Sequence, residues 1–411
     1  MARQHRLRAG RPVAAEACMS GGETGRTLRA LFMSVSLGAG HDQAQQAVKQ
    51  AFAERGVELL GAEHDSVEYL STFERSFTVD LYEFELRYAP WLYRGFYWLT
   101  DQDQPWNIIS RMFTWLGMGA FKDELRELRP EVVINSFWAP AAVCDTLRAQ
   151  TGQRFLNCLI VTDYRAHLHW ARRETDLLMV ASEETRRQML ERGVRPEQVE
   201  VTGIPISPAF REVLAADRWA LRAELFSEMS LRPGVPLLLL SGGGRGHYAA
   251  AADVLTELGN LGRAVQVLVP ASRQGEGTET IGGATVHHLG FRRDLPRLLA
   301  ASDLVVGKAG GLTVAEATAL GVPLVIYAPI PGQEEHNADF LERHGAGLWA
   351  RARHDVRPLV LRALDPAEHA RLSAGARAVG IPDAADRVAG AILRRLGDGL
   401  GDELGDSRGP A

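Results

Sequence analysis

The chain has 411 residues, a formal net charge of −5 and 46% hydrophobic residues, as expected for a globular protein of two domains. The slightly acidic balance leaves no general basic surface for a nucleic acid, so no nucleic-acid partner is expected. No run approaches the roughly 18 apolar residues that would indicate a transmembrane helix. The three cysteines, Cys18, Cys144 and Cys158, form no CxxC pair, which argues against a disulfide framework or a zinc site.

The two ends of the chain are predicted to lie outside the folded domains. Residues 1–28 carry four arginines between positions 3 and 11 but no apolar segment behind them, so we expect a flexible basic arm rather than a secretory signal. An over-long start is the other interpretation of the arm, because Met19 and Met33 follow. Residues 397–411 are rich in Gly and Asp and are expected to form a disordered tail.

The first half of the chain alternates short apolar strands with helical segments, which is the pattern of a parallel sheet. Ala30–Ser36 predicts a strand, Gly38–His41 a turn at its carboxyl end, and Asp42 the start of a helix. In open α/β sheets, ligands bind at that edge. The proline-containing segment 204–208 cannot continue a helix or a central strand, so we place the domain boundary after it. Further strands are predicted at Val57–Leu60, Glu131–Asn135, Phe155–Val161, Leu177–Ala181 and Val199–Gly203.

Residues 82–121 hold 12 of the 30 aromatic residues of the chain. Trp91 and Leu92 lie on one side of a predicted helix, and Tyr93 and Tyr97 lie on another. Apolar surface on two sides favours a site for an apolar partner, such as the membrane interface, where Trp and Tyr are preferred. The alternative is a helical hairpin buried against the sheet, because aromatic stripes usually belong to a core.

The second half of the chain restarts the same alternation, which predicts a second α/β domain facing the first. Helices are predicted at 249–258, 367–379 and 383–396. Strands are predicted at Leu237–Leu240, Ala264–Val269, Val286–Gly290, 303–306 and Val322–Tyr327.

Two glycine turns in this half, Gly242–Gly246 and Gly310–Gly311, each follow a predicted strand and open a helix. Thr313 is predicted to begin the second helix, with Glu316 at the spacing of a capping box. The free N–H groups and the positive dipole end at helix starts attract anions, so the two turns are placed to share one diphosphate. Neither turn is a Walker A motif, and glycine in such turns also serves backbone geometry alone. A loop after the next strand holds three polar side chains that no fold requires there, Gln333, Glu334 and Asn337.

Several ionisable residues have two interpretations at this stage. His41 is placed either to remove a proton from an alcohol or only to hydrogen-bond at a helix start. The pair His167 and His169 lacks helical spacing and a third ligand, so no metal is predicted. The pattern Asp101–Asp103 resembles a cation-binding motif of sugar-nucleotide enzymes, but it ends no strand and is discounted. Without a metal, a departing diphosphate needs helix dipoles and cations, and the available cations are Arg245, Arg292, Arg293 and Lys308.

Four motifs occur in order along the chain: Gly38–His41, Val161–Trp170, Val201–Phe210, and Lys308–Ala317 together with Pro331–Glu334 and Asn337. In this order they resemble the diacylglycerol glycosyltransferases related to monogalactosyldiacylglycerol synthase and to the bacterial processive diacylglycerol glucosyltransferases, in glycosyltransferase family 28. The resemblance covers roughly residues 30–396. One departure is Ala309, which stands where several bacterial members have proline.

The resemblance implies a GT-B fold, with two facing Rossmann-like α/β domains, a cleft between them and a C-terminal helix that returns to the first domain. Residues 29–208 would form the acceptor domain with the aromatic segment, residues 209–382 the UDP-sugar domain, and residues 383–396 the closing helix. No metal and no cofactor are implied, since the UDP-sugar is a substrate.

The resemblance also implies roles for individual residues. His41 would be the general base and Asp163 a second catalytic residue. Glu316 would hold the ribose hydroxyls, while Gln333 and Glu334 would read the sugar hydroxyls. The implied donor-binding residues are Gly243, Gly244, Arg245, Phe291, Arg292, Lys308, Gly310, Gly311, Leu312, Thr313, Glu316, Gln333, Glu334 and Asn337. The implied acceptor-binding residues are Gly40, His167, Trp170, Trp91 and Trp98.

The implied function is an inverting transfer of a hexose, glucose or galactose, from a UDP-sugar to diacylglycerol or a related lipid in glycolipid synthesis. The expected partners are the donor, the lipid and a membrane surface, with a peripheral cytoplasmic location on the inner face of the cell membrane. The basic arm either touches anionic lipid or has no role. Two alternatives stay open. A UDP-N-acetylglucosamine 2-epimerase-like isomerase needs no aromatic lipid face, and a non-catalytic sugar-nucleotide sensor transfers nothing.

Overall fold

Two seven-stranded sheets form the framework of the protein, which confirms the predicted α/β class. The computed structural model describes residues 26–35, 39–61, 63–69, 90–101, 119–242, 248–272 and 274–399. Most of the predicted basic arm, much of the aromatic segment, the glycine turn at 243–247 and the tail from residue 400 lie outside these residues.

The first sheet is entirely parallel and is built from seven short strands. They are β1 Thr27–Ser34, β2 Glu58–Leu60, β3 Glu63–Asp65, β4 Val132–Asn135, β5 Leu156–Ile160, β6 Leu177–Val180 and β7 Val199–Val201. Their order is β2-β1-β4-β5-β6-β7, with β3 also paired to β1. The strand order therefore reverses beside β1, and ligands of open α/β sheets bind at the carboxyl ends of the strands at such a point.

The described part of the first half of the chain contains five helices: α1 Ala39–Glu54, α2 Pro90–Thr100, α3 Gly119–Leu128, α4 Trp138–Thr151 and α5 Glu183–Glu191. Helix α1 begins at Ala39, so the prediction that it starts at Asp42 was wrong. Gly40 and His41 lie in the first helical turn, where glycine is tolerated because the first N–H groups lack intrahelical partners anyway.

The second sheet has a parallel core and one antiparallel edge strand. Its strands are β8 Leu237–Ser241, β9 Val265–Val269, β10 Gly277–Ile281, β11 Ala284–His288, β12 Leu304–Gly307, β13 Leu324–Tyr327 and β14 Gly347–Ala350. Their order is β10-β11-β9-β8-β12-β13-β14. The sequence did not predict β10, because four of its five residues are exposed and no alternation of apolar and polar positions marks it. The strand order reverses between β8 and β12, which carry the two predicted glycine turns.

Nine helices follow in the described part of the second half. They are α6 Ala209–Ala215, α7 Arg218–Glu228, α8 Ala251–Gly259, α9 Leu295–Ala301, α10 Gly311–Ala319, α11 Gln333–Arg343, α12 Arg353–Ala363, α13 Pro366–Val379 and α14 Ala384–Gly399. Helix α14 packs Val388 and Ile392 against Val48 and Phe52 of α1. This contact confirms the predicted return of the C-terminal helix to the first domain, and the helix runs three residues past its predicted end.

Two local predictions in the second domain were wrong. Helix α10 begins at Gly311 with Gly310 as its N-cap and without a side-chain cap, so Thr313 and Glu316 form no capping box. The predicted polar loop ends at Gly332, and Gln333 begins α11. The Glu335 carboxylate accepts a hydrogen bond from the Gly332 N–H at 2.9 Å, a capping interaction that starts this helix.

The two domains meet where the residues after β5 enter the space between α10 and α11. A Cβ atom on Gly311 would lie 2.0 Å from the carbonyl oxygen of Thr162. Two residues further on, the Tyr164 N–H donates to Asn337 Oδ1 at 3.1 Å. Backbone of the first domain thus packs directly against the start of α10, and only glycine at position 311 permits this approach.

We expect Gly311→Ala to push the two domains apart, because the added methyl group overlaps a backbone carbonyl that cannot rotate away. Small-angle scattering should show an increased radius of gyration, and thermal unfolding should begin at a lower temperature. The matched control is Gly310→Ala, whose Cβ would lie 3.5 Å from its nearest neighbour at an ordinary φ of −61°. Equal behaviour of the two variants would show that this contact does not set the domain spacing.

Candidate active site

His41 lies at the ligand-binding edge of the first sheet, and no described residue hydrogen-bonds its Nε2. Its Nδ1 is 2.7 Å from the carbonyl oxygen of Ser136, which only accepts, so Nδ1 carries the proton and Nε2 is an acceptor. Burial lowers the pKa of His41 to about 4, and the ring is therefore neutral at physiological pH. The hydrogen bond to Ser136 uses Nδ1 only and gives no role to Nε2. A neutral ring with an accepting Nε2 is the form that a general base requires.

The start of α10 faces this histidine across the cleft. A Cβ atom on Gly40 would lie 3.7 Å from Cβ of Leu312, so the first turns of α1 and α10 are in contact. Because no side chain caps α10, its first N–H groups remain available to an anion. The structure thus brings the predicted base and the predicted diphosphate site together.

The strands β8 and β12, which precede the two predicted glycine turns, are hydrogen-bonded neighbours in the second sheet. The hydroxyl oxygens of Ser241 and Thr313 are 3.3 Å apart. Gly307 passes so close that a Cβ on it would lie 2.2 Å from the Ser241 carbonyl oxygen. Their shared role in binding a diphosphate stays a prediction, and its members Gly243, Gly244 and Arg245 lie outside the described residues.

Glu316 is a partly buried carboxyl group within α10. Burial raises its pKa to about 8. Within the described residues no hydrogen bond or ion pair holds the carboxylate, although desolvating an unpaired carboxylate is costly. An unpaired polar group kept at the mouth of a cleft suits a ligand hydroxyl, and the predicted contact with ribose stays a prediction.

Gln333 and Asp163 form a hydrogen bond across the cleft. The Gln333 amide Nε2 donates to Asp163 Oδ1 at 2.6 Å, and the Trp170 side chain also hydrogen-bonds the carboxylate. Burial raises the pKa of Asp163 to about 6 despite these two donors. The predicted second catalytic residue and a predicted sugar-reading residue are therefore direct partners.

The two other predicted donor residues of α11, Glu334 and Asn337, have different hydrogen-bond partners. Glu334 is buried, pairs with Lys308 Nζ at 3.1 Å and accepts the Ile330 N–H at 2.8 Å. Asn337 donates to the Ala309 carbonyl at 3.0 Å while its oxygen accepts from Tyr164. The Asn337 amide is thus occupied by backbone groups of both domains, whereas Glu334 holds the Lys308 ammonium beside the residues predicted to read the sugar hydroxyls.

The predicted acceptor residues separate into a buried pair and an exposed pair. His167 and Trp170 are buried, and the ring of His167 lies 4.6 Å from that of Tyr97. Trp91 and Trp98 on α2 are 74% and 65% exposed, and Leu92 and Leu99 are exposed with them. These outward side chains argue against the buried-hairpin interpretation for α2.

Asp101 anchors the end of α2 and is not a cation ligand of the discounted motif. Its carboxylate binds Arg165 at 2.8 Å and Arg192 at 2.7 Å, and it accepts the Leu168 N–H at 2.9 Å. Three donors satisfy both oxygens, so the aromatic helix is tied to the segment after β5.

Phe291 and Arg292, predicted to flank the uracil, follow β11 at the same edge of the second sheet. Phe291 is 73% exposed, which leaves its ring free to stack on a planar ligand. Arg292 is paired with Asp294 at 2.7 Å. Both uracil contacts stay predictions.

Three residues of the site were missed by sequence reasoning. Ser136 orients His41 through its carbonyl oxygen, Thr162 sets the spacing of the domains, and Tyr97 packs under the start of α11. Ser136 had a signal, since it directly follows the buried strand β4. The other two act through contacts between domains, which no local pattern encodes.

The architecture and the cleft define the GT-B class. MurG of Acinetobacter baumannii aligns with a TM-score of 0.59 at 15% identity, over 90% of this chain and all of that one. HepE of Anabaena, solved with UDP-glucose, aligns with a TM-score of 0.53 at 13% identity, over 90% of this chain and all of that one. The UDP-GlcNAc 2-epimerase of Neisseria meningitidis aligns at 0.52 with 12% identity, so the fold alone does not separate a transferase from an isomerase.

Sequence comparison shows which proteins the chain is similar to. Residues 41–206 match the model of monogalactosyldiacylglycerol (MGDG) synthase, and residues 257–384 match the glycosyltransferase family 28 C-terminal domain. The processive diacylglycerol β-glucosyltransferase of Bacillus subtilis is 28% identical over 80% of this chain and 85% of its own length. The enzyme of the same name from Bacillus thuringiensis is 26% identical over 89% and 93%. The chain is therefore a relative of the diacylglycerol glycosyltransferases, as its motifs indicated.

We expect Glu316→Gln to stabilise the ligand-free protein increasingly as the pH rises. The carboxyl titrates near pH 4.5 when unfolded and near pH 8 when folded, so the wild type loses stability as the pH increases through this window. Glutamine does not titrate, and the difference in melting temperature should grow between pH 5 and 8. Scanning fluorimetry at several pH values measures it, with the exposed Glu342→Gln as control. A constant difference would contradict the raised pKa.

Proposed function

We propose that the protein is an inverting glycosyltransferase that moves one hexose from a UDP-sugar to the hydroxyl group of diacylglycerol. The observation that carries this proposal is the placement of His41, whose Nε2 is an acceptor. His41 lies in the first turn of α1, and this turn contacts the uncapped start of α10. One wall of the cleft offers a base to an alcohol. The other offers N–H groups to a departing diphosphate.

The reaction follows from these two walls. The lipid hydroxyl transfers its proton to His41 Nε2 as its oxygen attacks the anomeric carbon. The bond between that carbon and the β-phosphate oxygen breaks, and its electron pair leaves with UDP. The dipole of α10 stabilises the charge that develops on the diphosphate. Attack from the side opposite UDP inverts the anomeric centre.

Glucose is the first hexose to test. The two Bacillus relatives are named β-glucosyltransferases, and a β product from an α-linked UDP-sugar requires inversion. Gln333 and Glu334 begin α11 beside Asp163 and Lys308, at the position proposed to read the sugar hydroxyls. Galactose differs from glucose only at C4, so these residues decide between the two donors.

We also propose that α2 binds the membrane surface that contains the acceptor. Trp91 and Trp98 expose amphipathic rings, which prefer the interface between lipid and water. Within the described residues, no helix combines the length and the apolar character needed to span a bilayer. A peripheral site on the inner face of the cell membrane would bring the protein together with both its substrates.

The exposed aromatic helix favours a transferase over the two alternatives. Neither a UDP-GlcNAc 2-epimerase-like isomerase nor a sugar-nucleotide sensor requires a lipid-binding surface. Both would still bind a UDP-sugar, so donor binding alone does not distinguish the three, whereas a glycolipid product does.

The proposed activity predicts a glycolipid product from labelled UDP-glucose or UDP-galactose and diacylglycerol liposomes, detected by thin-layer chromatography. His41→Ala should lower kcat by about 100- to 10,000-fold, because the hydroxyl loses its base. Its affinity for UDP, measured by calorimetry, should change little. The control is Gln43→Ala, an exposed residue of the same helix.

Two results would contradict this proposal. Absence of any lipid product in the wild type, together with intact UDP-sugar binding, would favour the sensor. Release of an epimerised UDP-sugar would favour the isomerase. Normal turnover of His41→Ala would remove this residue from the mechanism while leaving the transferase assignment in place.

We expect the double variant Trp91→Ala/Trp98→Ala to adsorb to diacylglycerol-containing vesicles at least about 10-fold more weakly, because two interfacial rings are lost. Vesicle flotation measures the effect. Trp219→Ala removes a 79% exposed tryptophan of α7 and serves as the matched control. Equal adsorption of all three proteins would show that α2 is not the membrane contact.

A further inference from the structure

Helix α2 contacts the second domain directly beneath the start of α11. Gly332 has a φ of 77°, and a Cβ atom on it would lie 2.7 Å from two ring atoms of Tyr97. The ring centroid of Tyr97 is also 6.1 Å from that of His336. On the same face of α2, Arg94 pairs with Glu335. These three contacts surround Gln333 and Glu334 without involving either of them.

Tyr97 also has close contacts within the first domain. Its ring lies 4.6 Å from the ring of His167, and its carbonyl oxygen accepts a hydrogen bond from His167 Nε2 at 3.1 Å. Four residues further on, Asp101 fixes the end of α2 to Arg165 and Arg192. The ring is therefore wedged between a buried histidine and the glycine that precedes Gln333.

We propose that Tyr97 is a positioning residue for the donor sugar, whose ring sets where the Gly332–Glu334 segment lies and so where Gln333 meets Asp163. The inference rests on the proposed function and assigns a role to a residue of the acceptor domain in recognising the hexose of the donor.

The physical reason is the missing side chain at position 332. A glycine at positive φ has several accessible conformations, and position 332 has no side chain of its own to add to the backbone hydrogen bonds made by Glu334 and Glu335. The Tyr97 ring occupies the space beside it and blocks displacement toward α2. The Tyr97 atoms nearest to Gly332 belong to the ring and to Cβ, so the ring and not the hydroxyl makes this contact. A shift of about 1 Å at Gln333 is enough to misplace its amide.

The test compares the affinities for a UDP-hexose and for UDP in three full-length variants. Tyr97→Ala should weaken UDP-glucose or UDP-galactose binding about 10-fold, as expected when one or two hydrogen bonds to the hexose are lost. UDP affinity should stay within about 2-fold, because UDP lacks the hexose. Tyr97→Phe keeps the ring and should bind both ligands like the wild type. Calorimetry measures both affinities, and steady-state kinetics should show a raised donor KM.

Tyr69→Ala controls for a general loss of stability. This tyrosine packs on Phe121 and hydrogen-bonds Glu124 in the first domain, and among the described residues it has no contact with Gly332–Glu334. It should lower the melting temperature without changing the ratio of UDP-hexose to UDP affinity. An unchanged ratio in Tyr97→Ala, or an equal loss in Tyr97→Phe, would overturn the positioning role. A wild type that binds UDP-hexose but forms no lipid product would contradict the proposed function alone, since the ratio is measured without turnover.

Discussion

The close approach of Thr162, Asp163 and Tyr164 to the starts of α10 and α11 is the constraint on which the site depends. Each of these residues uses a different group: the carbonyl of Thr162 against Gly311, the carboxylate of Asp163 against Gln333, and the N–H of Tyr164 against Asn337. Backbone contacts on both sides of Asp163 leave it little freedom to move. Three successive peptide units thus set the width of the cleft, and with it the distance from His41 to the start of α10.

Burial shifts the pKa values of three ionisable groups of the site in the direction that favours their neutral forms. The pKa of His41 is lowered, while the pKa values of Asp163 and Glu316 are raised. Fixed positive potential comes instead from the dipole of α10, which needs no counter-ion and no reorganisation when negative charge develops. This arrangement costs stability in the free protein, most directly at Glu316, which has no partner among the described residues.

Helix α2 contacts residues of both domains beside the cleft. Its outward residues Trp91 and Trp98 are exposed, and its inward residue Tyr97 lies between His167 and Gly332. A period of about 3.6 residues puts these two sets on different faces of one short helix. The surface proposed to contact lipid and the ring proposed to position Gly332–Glu334 are thus separated by the width of one helix. Asp101 fixes the end of that helix.

The alternation of apolar strands and helices was enough to predict the α/β class, because it depends on local burial periodicity, and the order of four motifs indicated the family. His41 was singled out because it follows a predicted buried strand, where parallel sheets place their ligands, whereas the roles of Asp163, Gln333 and Glu316 came from the family resemblance. Sequence could not show that α11 begins at Gln333, since its start depends on Glu335 turning back to Gly332. Nor could it show the contacts of Thr162 with Gly311 or of Tyr97 with Gly332. Those contacts join residues far apart in the chain, and only the packing of two separately folded sheets decides them.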